Sequence, residues 1–294
     1  LDASVPNLRP NEDFAPEFRV VISEFYENVI LGEDQLRMRA TYALSQFFVV
    51  SSSSNSVGRD GEGFASYVDI LQQGAFGNFR DLLEEVTYRP TMGKYLTYVG
   101  NRKANPATGS APDENYAREI LQLFTIGLYE LNLDGSLKLD GNGQPIETYT
   151  NEDITELAKV FTGLWYEGLP FGRQTNLRTD ENRTSRMVMF EDQHSDASKT
   201  FLGETFAATL TGDETISAAL DVLFEHPNTA PFFSQQMIQR LTTSIPSPAY
   251  VRRVAEAFNR GAYTLPDGDT VGSGTRGDMR AVWAAILMDE EYHD

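Results

Sequence analysis

Residues 112–128 gather the polar chemistry of this sequence onto one expected helix. At about 100° per residue, Glu114, Asn115, Arg118, Glu119, Gln122 and Thr125 fall on one side. Ala117, Ile120, Leu121, Phe124 and Leu128 fall on the other. A carboxylate, an amide and a guanidinium on one face could bind a polar ligand, and Glu119 could act as an acid–base group. The same spacing also suits a plain i, i+4 pair between Glu114 and Arg118 on a solvated face, or a structural polar network. Glu119 lies at the edge of the apolar side. It is therefore expected to be partly buried and hydrogen-bonded, with Arg118 or Arg39 as its first choice of cation and His194 as the second.

Three histidines occur, at 194, 226 and 293. His194 sits in the polar run Glu191-Asp192-Gln193-His194-Ser195-Asp196 and is the natural group to titrate near neutral pH, either as a site residue or as a satisfied structural one. His226 precedes Pro227 at an expected helix end, where an imidazole commonly caps carbonyls. Histidines so far apart, with no His-Glu-x-x-His, give no zinc signature. Calcium is the metal left open. Asp140, Asn142 and Gln144 alternate like the start of a calcium loop, with Asp134 nearby, but Pro145 stands where that loop needs glycine and Asn151 where it needs glutamate. Gly272-Ser273-Gly274-Thr275-Arg276-Gly277 spells G-x-G-x-x-G, yet no second strand and acidic residue follow as a dinucleotide site requires. It reads as a flexible loop, and no NAD site is expected. Neither G-x-S-x-G nor a Walker sequence occurs.

The elements that would position these groups are helices. Leu36, Ala40, Ala43, Leu44 and Phe47 fall at helical spacing over about 34–50, as do Val251, Val254 and Phe258 behind a Ser247 cap and Pro248. Met279, Val282, Trp283, Ile286 and Leu287 mark a last helix, and further helices are expected near 17–31, 63–74, 78–88, 113–128, 151–162, 214–225 and 230–242. Extended structure is expected in the 129–150 region, where Tyr129–Leu133 and Ser136–Leu139 flank an Asp134-Gly135 turn, and around Met187–Phe190. The expected fold is mainly α. An extended segment over 1–16 leads into a single multi-helix domain over 17–294 with a small β-hairpin insertion.

Composition narrows the partners. Twenty-four Lys and Arg against 43 Asp and Glu give a formal charge of −19, which repels phosphate backbones and anionic lipid. No nucleic acid is expected as a partner, and no apolar run is long enough for a membrane span. Only five of the basic residues are lysines, as suits a salty, exposed setting, and cysteine is absent, which removes disulfides, thiolate metal sites and cysteine nucleophiles. The chain starts at Leu1 with no methionine and no signal-peptide pattern, and it stops soon after a helix. Both ends are expected to be cut.

The stretch from Pro112 through Glu114-Asn115-Tyr116-Ala117-Arg118-Glu119 to Thr125-Ile126-Gly127-Leu128 resembles the hallmark of the family known as domain of unknown function 1800. The likeness continues in Asp134-Gly135-Ser136, Tyr149-Thr150, Asp153 through Leu157-Ala158, and Phe161-Thr162-Gly163. Flanking blocks include Ala75–Phe79, His194 with Lys199–Gly203, His226-Pro227-Asn228 and Ser244 to Val254, so the resemblance runs from about 17 to 291. It implies a bacterial protein exported by a signal, secreted or periplasmic, often encoded beside another exported protein resembling sulfatases or phosphatases. It implies no agreed activity or cofactor. Many members carry histidine where this chain has Phe124, and members usually have additional sequence upstream. The favoured expectation is a binding or assembly component acting with a partner protein, with another exported protein as the candidate. Two alternatives stand beside it: an extracellular hydrolase-type enzyme on a polar substrate using Glu119 and His194, and a structural element of an extracellular assembly.

Overall fold

A computed structural model describes residues 18–51, 57–58, 60–173 and 181–293. The expected segment 1–16 lies outside these residues. Twelve α-helices occur among them: α1 Phe18–Leu31, α2 Gln35–Phe47, α3 Gly61–Gly74, α4 Phe79–Thr87, α5 Pro90–Tyr95, α6 Asn115–Gln122, α7 Asn151–Val160, α8 Gly212–Glu225, α9 Thr229–Leu241, α10 Pro248–Arg260, α11 Met279–Leu287 and α12 Glu290–His293. The mainly α expectation holds. The short α5 and α12 escaped it, because four to six residues show no 3.6 periodicity.

Local signals explain the boundaries. The Ser247 hydroxyl accepts the Tyr250 N–H, Pro248 fills the first turn of α10, and Gly261 ends it in the left-handed region at φ +60°. In α2, Ala40, Ala43, Leu44 and Phe47 are buried as expected, but Leu36 is exposed and Met38 packs inward instead. The main core is aromatic. Phe79 stacks against Phe233 at 4.6 Å, with Phe47, Phe48, Phe124 and Phe258 around them, and the Trp283 Nε1–H donates to the Ala75 carbonyl at 2.6 Å. A smaller cluster of Phe25, Val29, Met38, Val57, Phe64 and Val68 lies under α1, α2 and α3.

Strands reach beyond the expected regions. Among the described residues three two-stranded antiparallel sheets pair β1 Leu164–Trp165 with β2 Val188–Met189, β3 Lys199–Phe201 with β4 Glu204–Phe206, and β5 Ala262–Thr264 with β6 Thr270–Gly272. β2 falls inside the expected Met187–Phe190. The others are too short for a visible alternation. The Gly272–Gly277 segment is a tied connection and not a flexible loop: the Gly274 N–H donates to the Gly261 carbonyl and the Gly277 N–H to the Phe258 carbonyl.

The 129–150 region folds as a three-limbed meander rather than one hairpin. Isolated bridges join Leu131 to Leu137, Leu139 to Pro145 and Tyr129 to Glu147. The limbs close a ring of bonds: Lys138 N–H to Glu130 O, Ile146 N–H to Lys138 O, and Glu130 N–H to Ile146 O. It begins at Gly127, in the left-handed region at φ +72°, where an added Cβ would meet the Phe232 ring.

Candidate functional site

The hallmark helix is shorter than the pattern suggests. α6 stops at Gln122, and the Gly127 N–H reaches back to the Leu121 carbonyl to close it, with Gly127 left-handed. Thr125 therefore leaves the polar face. It is buried, and its hydroxyl donates to the Ile120 carbonyl. Asn115 turns to Thr97, donating from Nδ2 to Oγ1 at 2.7 Å, while the Thr97 hydroxyl donates to Asp113 at 2.9 Å. Thr97 sits at φ +61°, a strained position for a β-branched residue, so Asp113 and Asn115 hold a strained turn in place. Arg118 pairs with Glu114 at 3.4 Å, the plain i, i+4 contact.

Glu119 is half-buried as expected, but among the described residues no donor reaches its carboxylate. The hydrogen-bonded expectation fails there because Arg118 turns back to Glu114, Arg39 lies exposed on α2, and His194 is held elsewhere. Burial raises the Glu119 pKa, opposed by the Arg118 charge. The charged form is thus disfavoured in the fold. Glu119→Gln is expected to leave the melting temperature at neutral pH unchanged or slightly higher. A clear fall would reveal a donor that the carboxylate depends on.

His194 belongs to the interior despite its polar neighbours. Its Nδ1–H donates to the Thr162 carbonyl at 2.9 Å, and its buried Nε2 has no hydrogen-bond partner among the described residues. Burial lowers its pKa, the Thr162 bond opposes that, and the Lys199 charge adds to it. Lys199 is itself buried, donating to the carbonyls of Ser195 and Ala197. A depressed folded pKa means the unfolded chain binds the proton more readily. The stabilisation is full above about pH 6.5 and is lost as pH falls through the unfolded value toward the folded one. The melting temperature should fall as the pH drops below about 6.5, and His194→Gln should fall less steeply. Equal slopes would count against it.

His226 corrects another expectation. Instead of donating to carbonyls, its Nδ1 accepts the Asn228 N–H at 3.1 Å, and Arg276 caps the end of α8 by donating to Phe224 O at 3.0 Å. The His293 side chain lies outside the described residues. Asp134 and Asp140 each turn onto their own loop: Asp134 accepts from the Ser136 N–H and hydroxyl, and Asp140 from the N–H groups of Asn142 and Gln144. Among the described residues no three His, Asp or Glu side chains gather as a metal site. A cleft of about 760 Å³ is lined by Glu84, Tyr88, Glu167, Arg186 and Asp213, but Arg186 is spent on Glu84 and Glu85, and the Tyr88 hydroxyl on Asp213.

The meander carries an exposed apolar row. With Leu131 opposite Leu137, Glu130 falls opposite Lys138 and Tyr129 opposite Leu139. Strand alternation then puts Tyr129, Leu131, Leu137 and Leu139 on one face and Glu130 and Lys138 on the other. Glu130 and Lys138 pair at 3.2 Å with side chains 36% and 38% exposed, and both charges act on the His226 ring. The apolar face is turned outward: Tyr129 is 41% exposed, Leu137 46% and Leu139 55%. Leu128 and Leu123 are exposed as well, and Glu147, bridged to Tyr129, lies at the edge of the row. Wholly buried Asn228 anchors the unit by donating to Ile126 O and Tyr129 O and accepting the Leu131 N–H at 2.9 Å.

The profile of the family described as "Protein of unknown function (DUF1800)" matches residues 7–294. The chain belongs to this family. No curated protein and no solved structure matches it. For this DUF1800 chain, no helix among the described residues is long and apolar enough to cross a membrane. Its hallmark residues Asp113, Asn115 and Arg118 are bound to one another's neighbourhood, and Phe124 packs among Phe47, Phe48 and Tyr116. Sequence reasoning missed the outward face and the anchor Asn228. The signal for the first was present: Tyr129-x-Leu131 and Leu137-x-Leu139 alternate with Glu130 and Lys138. Nothing in that pattern says which face meets the body.

Proposed function

We propose that this chain is a binding or assembly component that docks a partner protein on the outward face of the meander. The observation that carries the reading is the exposed apolar row itself. Tyr129, Leu137 and Leu139 share one face of the meander and stand open to solvent, an arrangement that costs stability unless another surface covers it. A partner with an apolar centre and a basic rim fits a face edged by Glu147 on a chain of charge −19. A second copy carries the same charge of −19 and is disfavoured, as is an anionic lipid surface. An exported setting, secreted or periplasmic, agrees with the lysine-poor acidic composition and with the family resemblance. The enzymatic alternative gains no support from contacts among the described residues, since none joins Glu119 to His194.

The test is a photo-crosslinking residue placed at Leu139, with Glu204 on β4 as an exposed control. The expected result is one protein adduct at Leu139 and none at Glu204, with the captured protein purified and shown to bind through an apolar surface ringed by Lys or Arg. No adduct at Leu139 above the control level would overturn the reading, as would an adduct with lipid or with a second copy alone.

A further inference from the structure

The meander hangs on the junction between α8 and α9, and that junction holds an imidazole. His226 accepts the Asn228 N–H on Nδ1 at 3.1 Å, so in the bonded state the ring is neutral with its proton on Nε2. Asn228 carries the meander on its side chain through Ile126 O, Tyr129 O and the Leu131 N–H. The charged groups acting on the ring come from two packed elements. Glu130 and Lys138 reach it from the meander, and Arg276 from the loop before α11. Arg276 also donates to the His226 carbonyl at 3.4 Å and lies 3.6 Å from Glu225 on α8.

We infer that His226 is a proton-operated latch on the meander. A proton on Nδ1 removes the acceptor that the Asn228 N–H requires and turns two neighbouring donors against each other. It also places a cation beside Glu130, which competes with Lys138 for that carboxylate. Both changes act on the unit that Asn228 holds, and both loosen it. The use of this motion to release a partner rests on the docking reading above; the motion itself does not.

The sign follows from the surroundings. Burial depresses the His226 pKa, Lys138 and Arg276 push the same way, and Glu130 opposes them. The latch is therefore closed above about pH 6.5, the ordinary imidazole value, and opens as pH falls through the lower folded value.

The absence of cysteine lets Asn142→Cys at the meander tip carry a single dye. Fluorescence anisotropy of the chain alone is expected to be flat from about pH 8 to 6.5 and then to drop as the pH is lowered further, while helical circular dichroism stays constant. His226→Asn, whose Oδ1 can accept the same N–H but cannot titrate, should abolish the drop, and His194→Gln should retain it. The latch is overturned by a drop that survives in His226→Asn, by no drop in the parent, or by a drop that coincides with loss of helix. Should His226→Asn fail to fold, ¹⁵N shifts of the parent decide. The His226 ring must be the Nε2–H tautomer at about pH 7.5 and must titrate in step with the anisotropy; either failure refutes the latch. Docking is read separately, as partner affinity at about pH 7.5, where the latch is closed.

Discussion

Asp60→Ala is expected to cost about 3–5 kcal/mol, the range for removing one partner of a buried ion pair. The carboxylate is almost wholly buried, accepts the Gly63 N–H at the start of α3, and meets the Lys94 ammonium at 2.5 Å. Arg183, bonded to Glu62, lies against its other oxygen at 3.6 Å. Alanine leaves two buried cations without that carboxylate and removes a helix cap as well. Adding Lys94→Met should recover part of the loss, because one of the two buried charges goes with it. Chemical denaturation of both variants checks this. A single-variant loss below about 1 kcal/mol would mean that the pair is far more solvated than its burial indicates.

Asn228→Ala should cost about 2–4 kcal/mol, and most of it should appear in the meander. Three backbone groups lose their partner at once: the buried Ile126 O and the partly buried Tyr129 O and Leu131 N–H. Hydrogen exchange at the Leu131 amide is expected to rise far more than exchange in α10, whose Val254 and Phe258 lie in the main core. Asn228→Asp should be worse, since it keeps the acceptor for Leu131 but sets a carboxylate against two carbonyls. Equal rises in the meander and in α10 would make Asn228 a general core residue and not a local anchor.

These two residues show where sequence reading stops. Helix positions were legible because their periodicity is local: Val251, Val254 and Phe258 are buried, and Ser247 caps as its type demands. The end of α6 was less so, since Gly127 closes the helix five residues before the apolar pattern fades. His194 looked solvated from its neighbours Glu191, Asp192 and Asp196, yet Thr162, 32 residues earlier, receives its ring. Tyr129 and Leu131 were read correctly as extended, but the side of the hairpin that meets the body is set by Asn228, 97 residues beyond Leu131. Pairings of that range leave no trace in a local pattern. On the candidate polar face of α6, Glu114 and Arg118 pair with each other, while Asn115, together with Asp113 just before the helix, holds Thr97.

The central claim is that the outward meander face is a docking surface, and the most direct measurement is the affinity of Leu137→Asp/Leu139→Asp for the protein captured at position 139. Both side chains are exposed in the free chain, so the melting temperature should match the parent. Burying the two leucines against a partner is worth roughly 1.5 kcal/mol each, so affinity should fall by about 100-fold or more. An unchanged affinity with an unchanged melting temperature would contradict the account.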